Sequence, residues 1–111
     1  MPIFITQGRY TQSAMKGMVG KPEDRAEPTR QLFERAGGRL LSYYITFGEY
    51  DFLVIAEAPN ETAMLGVLAT VGAGGGVSDL KTTLAVTSAQ AKEAFAAAGK
   101  SASKFRSAGQ S

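Results

Sequence analysis

Apolar and polar residues follow two different periods along this chain, and the periods divide it into strand-length and helix-length segments. Residues 2–10 (PIFITQGRY) mix β-branched and aromatic residues over a strand's length. Thr11 then caps a short helix, QSAMKGMV, in which Met15, Met18 and Val19 share a face and which Gly20 ends. A second helical stretch follows Pro22. It carries Glu23 and Asp24 where a helix N-terminus favours acids, then Thr29, Leu32, Phe33 and Ala36 at helical spacing. Pro28 either opens this helix, at a position where its missing N–H costs nothing, or kinks it. Gly37 and Gly38 close it.

Residues 39–47 (RLLSYYITF) and 52–58 (FLVIAEA) carry the strongest strand pattern. The four residues between them make a connection short enough for an antiparallel hairpin. Pro59 and Asn60 stop the second strand and cap a helix over residues 61–72, whose apolar face is Met64, Val67, Leu68 and Val71. After a glycine-rich loop, residues 77–86 (VSDLKTTLAV) predict a fourth strand, and Thr87 with Gln90 predicts a capping box for a last helix over residues 88–98. The order strand, helix, strand, strand, helix, strand predicts an α+β, ferredoxin-like βαββαβ domain over residues 1–98. Right-handed crossovers put the first and third strands in the middle of a four-stranded antiparallel sheet with the helices on one face. Residues 99–111, nearly all Gly, Ser, Ala, Lys and Arg, predict a disordered basic tail.

That arrangement leaves one sheet face bare. With Phe47 opposite Phe52, Leu41, Tyr43, Ile45, Phe47, Phe52, Val54 and Ala56 form the helix-side face. The other face holds Leu40, Ser42, Tyr44, Thr46, Leu53, Ile55 and Glu57, a set too apolar for water and too polar for a plain core. Hiding a few hundred Å² of it, at roughly 25 cal/mol per Å², is worth several kcal/mol. A patch of that size marks an interface, so the chain is expected to form at least a sheet-to-sheet homodimer.

Composition narrows the chemistry. The 111 residues include no Cys, His or Trp, which removes disulfides, thiolate metal sites, a Cys nucleophile, a His base and a His-ligated haem. Proton chemistry falls to Asp, Glu, Lys and Tyr, and neither a metal nor a cofactor is expected. No run approaches the roughly 18 apolar residues of a membrane span, and the start lacks the basic and apolar pattern of a secretory leader, so a cytoplasmic location is expected. The formal charge of +2 divides unevenly. Lys100, Lys104 and Arg106 lie in the tail, and the body holds nine bases against ten acids. Three basic residues without interleaved aromatics fall short of a nucleic-acid footprint.

The stretch GEYDFLVIAEAP, with the opening PIFITQGRYT and the run RAGGRLLSYYITFGEYDFLVIAEAPN, resembles the GYD-domain family of small bacterial and archaeal proteins. Gly48, Tyr50 and Asp51 match the motif, and Glu49 is where this chain departs from its shortest form. The resemblance implies the dimeric α+β barrel superfamily, in which two ferredoxin-like domains pack sheet against sheet. That superfamily includes cofactor-free monooxygenases, haem enzymes, isomerases and the ligand-sensing domains of feast/famine regulators. The absence of His departs from the haem branch, and the chain has no room for a helix-turn-helix segment.

Several residues are candidates for a site. Turn chemistry alone explains Gly48 and Asp51; alternatively Glu49, Tyr50 and Asp51 line the mouth of a cleft and bind a polar or cationic group. Tyr10, Tyr43, Tyr44 and Tyr50 suit either a half-buried interface or a pocket for a ring-shaped ligand. Tyr10, Tyr44, Glu49, Tyr50, Asp51 and Lys81 are the candidate ligand-binding residues. Glu57 and Tyr44 are the candidate catalytic ones, if burial beside Tyr44 raises the Glu57 carboxyl towards a general base. Glu57 and Lys81 read equally well as a solvated strand edge or a surface ion pair. Residues 72–76 (GAGGG) follow a helix rather than precede one, which favours a flexible connection over a phosphate cradle. No spacing defines a reaction. The expected function is a small-molecule-binding or accessory domain, with a cofactor-independent oxygenase or isomerase, or a structural assembly protein, as alternatives.

Overall fold

The computed structural model describes residues 1–110. Its elements in chain order are β1 (Ile3–Tyr10), α1 (Gln12–Gly20), α2 (Ala26–Arg35), β2 (Arg39–Ile45), β3 (Phe52–Glu57), α3 (Glu61–Ala73), β4 (Val77–Ala85) and α4 (Ser88–Ala102). The strands form one antiparallel sheet in the order β2-β3-β1-β4, so the first and third strands are central and the fold is ferredoxin-like. Alternate residues of β1 and β3 (Phe4, Thr6, Phe52, Val54, Ala56) are buried, and Phe33 of α2 with Met64 and Val67 of α3 cover them. The caps expected from sequence are formed: Thr11 accepts from Ala14 N, Asn60 from Ala63 N, and Thr87 with Gln90 closes a capping box.

The hairpin register differs from the expectation by two residues. Ile45, not Phe47, lies opposite Phe52. The connection is a six-residue loop in which Thr46 N donates to the Asp51 carbonyl (2.9 Å) and Thr46 Oγ1 to the Tyr50 carbonyl (2.7 Å), with Gly48 at φ 105°. A shift of two keeps side-chain parity, so Tyr43 still shares a face with Phe52 and Val54. Phe47, however, is 99% exposed, and Ile45 is also exposed. A bulge between Leu40 and Ser42 moves Leu40 onto the core and leaves Leu41 outside.

Other departures have local causes. Pro28 is the third residue of α2, within the first turn where a backbone N–H has no helical acceptor, and Glu23 and Asp24 precede the helix instead of opening it. Met15 and Val19 of α1 are exposed, so that helix has no buried face among the described residues. Lys81 and Thr83 share the bare face, and a register shift beside Asp79, which takes φ 54°, puts Asp79 out of step with them. α4 continues to Ala102 instead of ending at Ala98, and none of its residues is buried. The radius of gyration of 18.3 Å, against about 13 Å for a compact chain of this length, reflects that helix leading away from the body.

Candidate functional site

Between the helix layer and the sheet is a chamber of about 120 Å³. β1 supplies Tyr10, β2 Tyr43 and β3 Phe52; α2 contributes Thr29 and Leu32, and α3 contributes Leu68 and Val71. Arg25, at the N-cap of α2, also lines it. The Phe52 ring packs against both tyrosines, 5.0 Å from Tyr10 and 6.1 Å from Tyr43 between centroids. Gly8 makes this placement possible, since a Cβ there would stand 2.6 Å from the Phe52 ring and 2.8 Å from Leu80 Cδ2.

The hydroxyls of Tyr10 and Tyr43 are hydrogen-bonded to each other. Burial pushes both phenols above the ordinary tyrosine range; for Tyr43 the bond to Tyr10 acts in the same direction, whereas for Tyr10 the bond to Tyr43 opposes it. Both therefore stay protonated at neutral pH. Above pH 10 the unfolded chain releases these protons while the folded chain keeps them, so stability present below pH 10 is lost as pH rises further. Urea unfolding from pH 9 to 12 should show this fall, and the Tyr10→Phe/Tyr43→Phe double variant should flatten it.

The chamber adjoins a larger cleft of about 420 Å³, with which it shares Tyr10, Arg25, Leu32, Val71 and Val77 as lining. Lys21 and Glu23 stand on the cleft wall, and Arg25 Nη1 lies 2.8 Å from Glu23 Oε1. The glycine loop forms one rim. Thr11 N donates to the Gly76 carbonyl (3.0 Å) and Thr11 Oγ1 to the Gly75 carbonyl (3.1 Å), while Gly74 N and Gly75 N donate to carbonyls at the end of α3. Those two amides are not available to a phosphate.

The hairpin loop is tied to the end of β1. Asp51 Oδ2 accepts from Tyr10 N (2.9 Å), and Asp51 N donates to the Gly8 carbonyl (2.8 Å). Arg9 Nε donates to the Glu49 carbonyl (2.7 Å), with the Arg9 guanidinium 5.8 Å from the centre of the Tyr50 ring and 3.6 Å from Asp79. The loop thus holds Tyr10 at the chamber mouth. Asp51→Ala is expected to lose about 1.5–3 kcal/mol, because it orphans the Tyr10 amide, and Asp51→Asn to recover most of it. Thermal denaturation of the two variants measures the difference.

Of the residues singled out from sequence, Tyr10 lines the chamber. Tyr44, Glu57 and Lys81 lie on the opposite sheet face, and Glu49, Tyr50 and Asp51 lie in the loop. Glu57 accepts from Arg39 Nη2 at 2.7 Å, and four residues of β3 separate it from the Tyr44 position, about 13 Å at strand rise. Arg25 and Thr29 were not among the candidates, and Tyr43, weighed with the other tyrosines for a pocket, was not among the ligand-binding residues chosen. For Tyr43 the available signal was a polar tip on a face otherwise assigned to the core. Among the described residues no cluster of three acidic side chains could hold a metal ion, and no helix is long and apolar enough to cross a membrane.

Residues 4–95 match the GYD domain. The chain belongs to that family. This GYD domain is 26% identical over 80 residues, 72% of this chain and 84% of the other, to a protein of Thermus thermophilus named a glutamine synthetase and cystathionine beta-lyase binding protein. Among solved structures it is similar to a Thermus thermophilus protein at 15% identity and TM-score 0.52, covering 79% of this chain and 96% of that one. That likeness extends to the fold. A hypothetical protein from Pyrococcus horikoshii aligns at 14% identity and TM-score 0.47, over 78% of this chain and 92% of that one.

Proposed function

We propose that this GYD domain is a binding or accessory module: a homodimer joined through its bare sheet faces, with a small molecule held in each Tyr10–Tyr43 chamber. The composition of the chamber wall carries the reading. Its polar groups are two protonated phenols, two threonine hydroxyls and a guanidinium, with no carboxylate among the described lining residues. Such a wall can hold and orient a ligand. It offers no group ready to take a proton at neutral pH, which weighs against the oxygenase or isomerase alternative. The name of the Thermus thermophilus relative, a protein that binds two enzymes, supports an accessory role in which an enzyme is the partner. The body through the end of α4 at Ala102 would do this work in the cytoplasm.

Native mass spectrometry of the freshly purified full chain tests the reading. A dimer carrying extra small-molecule mass is the expected result. Empty 11.7 kDa monomers at micromolar concentration would overturn it.

A further inference from the structure

We propose that the chamber and its cleft select a small organic monocarboxylate, its ring or branched apolar body among Leu32, Leu68 and Val71 and its carboxylate on Arg25 at the mouth. The inference rests on the reading of the chamber as a ligand site and adds the ligand's chemistry. Size sets the first limit. An apolar cavity of about 150 Å³ accepts benzene, so a chamber of about 120 Å³ takes one small ring or a branched chain and little more. A longer molecule must extend into the cleft, and the wall shared by the two spaces includes Arg25.

Charge sets the second limit. The side chains lining the two spaces carry two cations, Lys21 and Arg25, against one acid, Glu23. The nearby carboxylates of Asp24 and Asp51 are already engaged with backbone amides, those of Ala26 and Tyr10, each at 2.9 Å. Arg25 donates one N–H to Glu23 in a pair open to solvent on both sides, and a guanidinium has five. The remaining N–H groups suffice for a bidentate carboxylate, and an exposed pair yields readily to a competing anion. The tyrosine pair adds a donor: one of its two O–H protons is used between the rings, and the other is available to a ligand oxygen. Glu23 then acts as a tethered stand-in for the ligand carboxylate.

Calorimetric titration of the full chain with benzoate, benzyl alcohol and benzylamine tests this. Benzoate should bind about tenfold or more tightly than the neutral and cationic rings. Arg25→Gln should weaken benzoate by about tenfold or more and benzyl alcohol by clearly less, so that their difference closes, whereas Glu23→Gln should tighten benzoate by removing its competitor. Amide shifts at Tyr10, Arg25 and Leu68 on adding benzoate to the unmodified protein would locate it without relying on a variant that folds. Equal binding of the three rings with shifts at those residues would overturn the carboxylate assignment and leave the ligand site standing. No binding of any of them, and no shifts, would overturn both.

Discussion

Gly38→Ala is expected to unfold the domain or bring it close to unfolding. A Cβ at residue 38 would lie 2.0 Å from the Glu57 carbonyl oxygen and 3.1 Å from Ala58 Cα, both backbone atoms of the neighbouring strand end. Neither can rotate away as a side chain would, so relief requires β2 to part from β3 where the hairpin joins the core. Gly38 is also committed on its own backbone. Its N–H donates to the Phe33 carbonyl (2.8 Å) while Gly37 N donates to Glu34 (3.0 Å), the paired bonds of a Schellman ending for α2 with Gly37 at φ 85°. Displacing Gly38 therefore pulls on Phe33, a buried core residue. We expect a loss of more than about 3 kcal/mol, against a total of about 5–15 kcal/mol for a domain of this kind. At about 4–8 °C per kcal/mol, the melting temperature should fall by at least about 12 °C. Gly37→Ala serves as the comparison. It carries the left-handed φ, with Pro59 Cγ at 3.2 Å as its only near atom, and should cost about 1–2 kcal/mol. A Gly38→Ala protein that melts within a few degrees of the parent, or above Gly37→Ala, would show that the two strand ends are not held this closely.

The glycine pair illustrates what the sequence conveys and what it does not. Two glycines after a helical pattern announce a helix end, and the alternation in residues 52–58 announces a strand buried on one face. Together such local signals carry the element order and hence the ferredoxin-like topology. Which glycine is sterically indispensable depends on a carbonyl nineteen residues away, and no local pattern encodes that contact. The hairpin register has the same character. Pairing begins at Ile45 because Thr46 closes a six-residue loop onto Asp51, and the bulge then exchanges Leu40 for Leu41 on the core face. The site was half legible for a related reason. Tyr43 and Tyr44 are neighbours on a strand, so parity sends one into the chamber with Tyr10 and the other to the opposite face. Polar residues on a strand attract notice where they break an apolar face, which favours Tyr44 and Glu57. Arg25 reaches the chamber from a helix start whose position Pro28 left undecided, and nothing in the sequence ties that start to the end of β1.

Ile55→Arg is expected to convert the proposed homodimer into a folded monomer. Ile55 pairs with Ile5 across the two central strands, with Ile3 and Leu53 on the same face and Tyr44 and Ser42 towards the β2 edge. Arg39, Glu57, Lys81 and Gln7 surround that centre, the apolar middle and polar margin of a protein interface. Among the described residues no helix is seen to cover it: the core helices α2 and α3 lie on the other side, and α1 and α4 have no buried residue. Burial of a few hundred Å² there would contribute several kcal/mol to association. An arginine at its centre replaces that gain with the cost of burying a charge, and the equilibrium should weaken by more than about a hundredfold. Because residue 55 points away from Phe52 and Val54, circular dichroism of the variant should match the parent, and benzoate binding in the chamber should survive. Sedimentation equilibrium reads the change in mass directly. The melting temperature supplies an independent measure, since folding coupled to dimerisation makes it rise with protein concentration, and Ile55→Arg should abolish that dependence. A variant that remains dimeric at micromolar concentration would place the subunit contact elsewhere, and the exposed α4, with Phe95 open to solvent, would then be the next surface to alter.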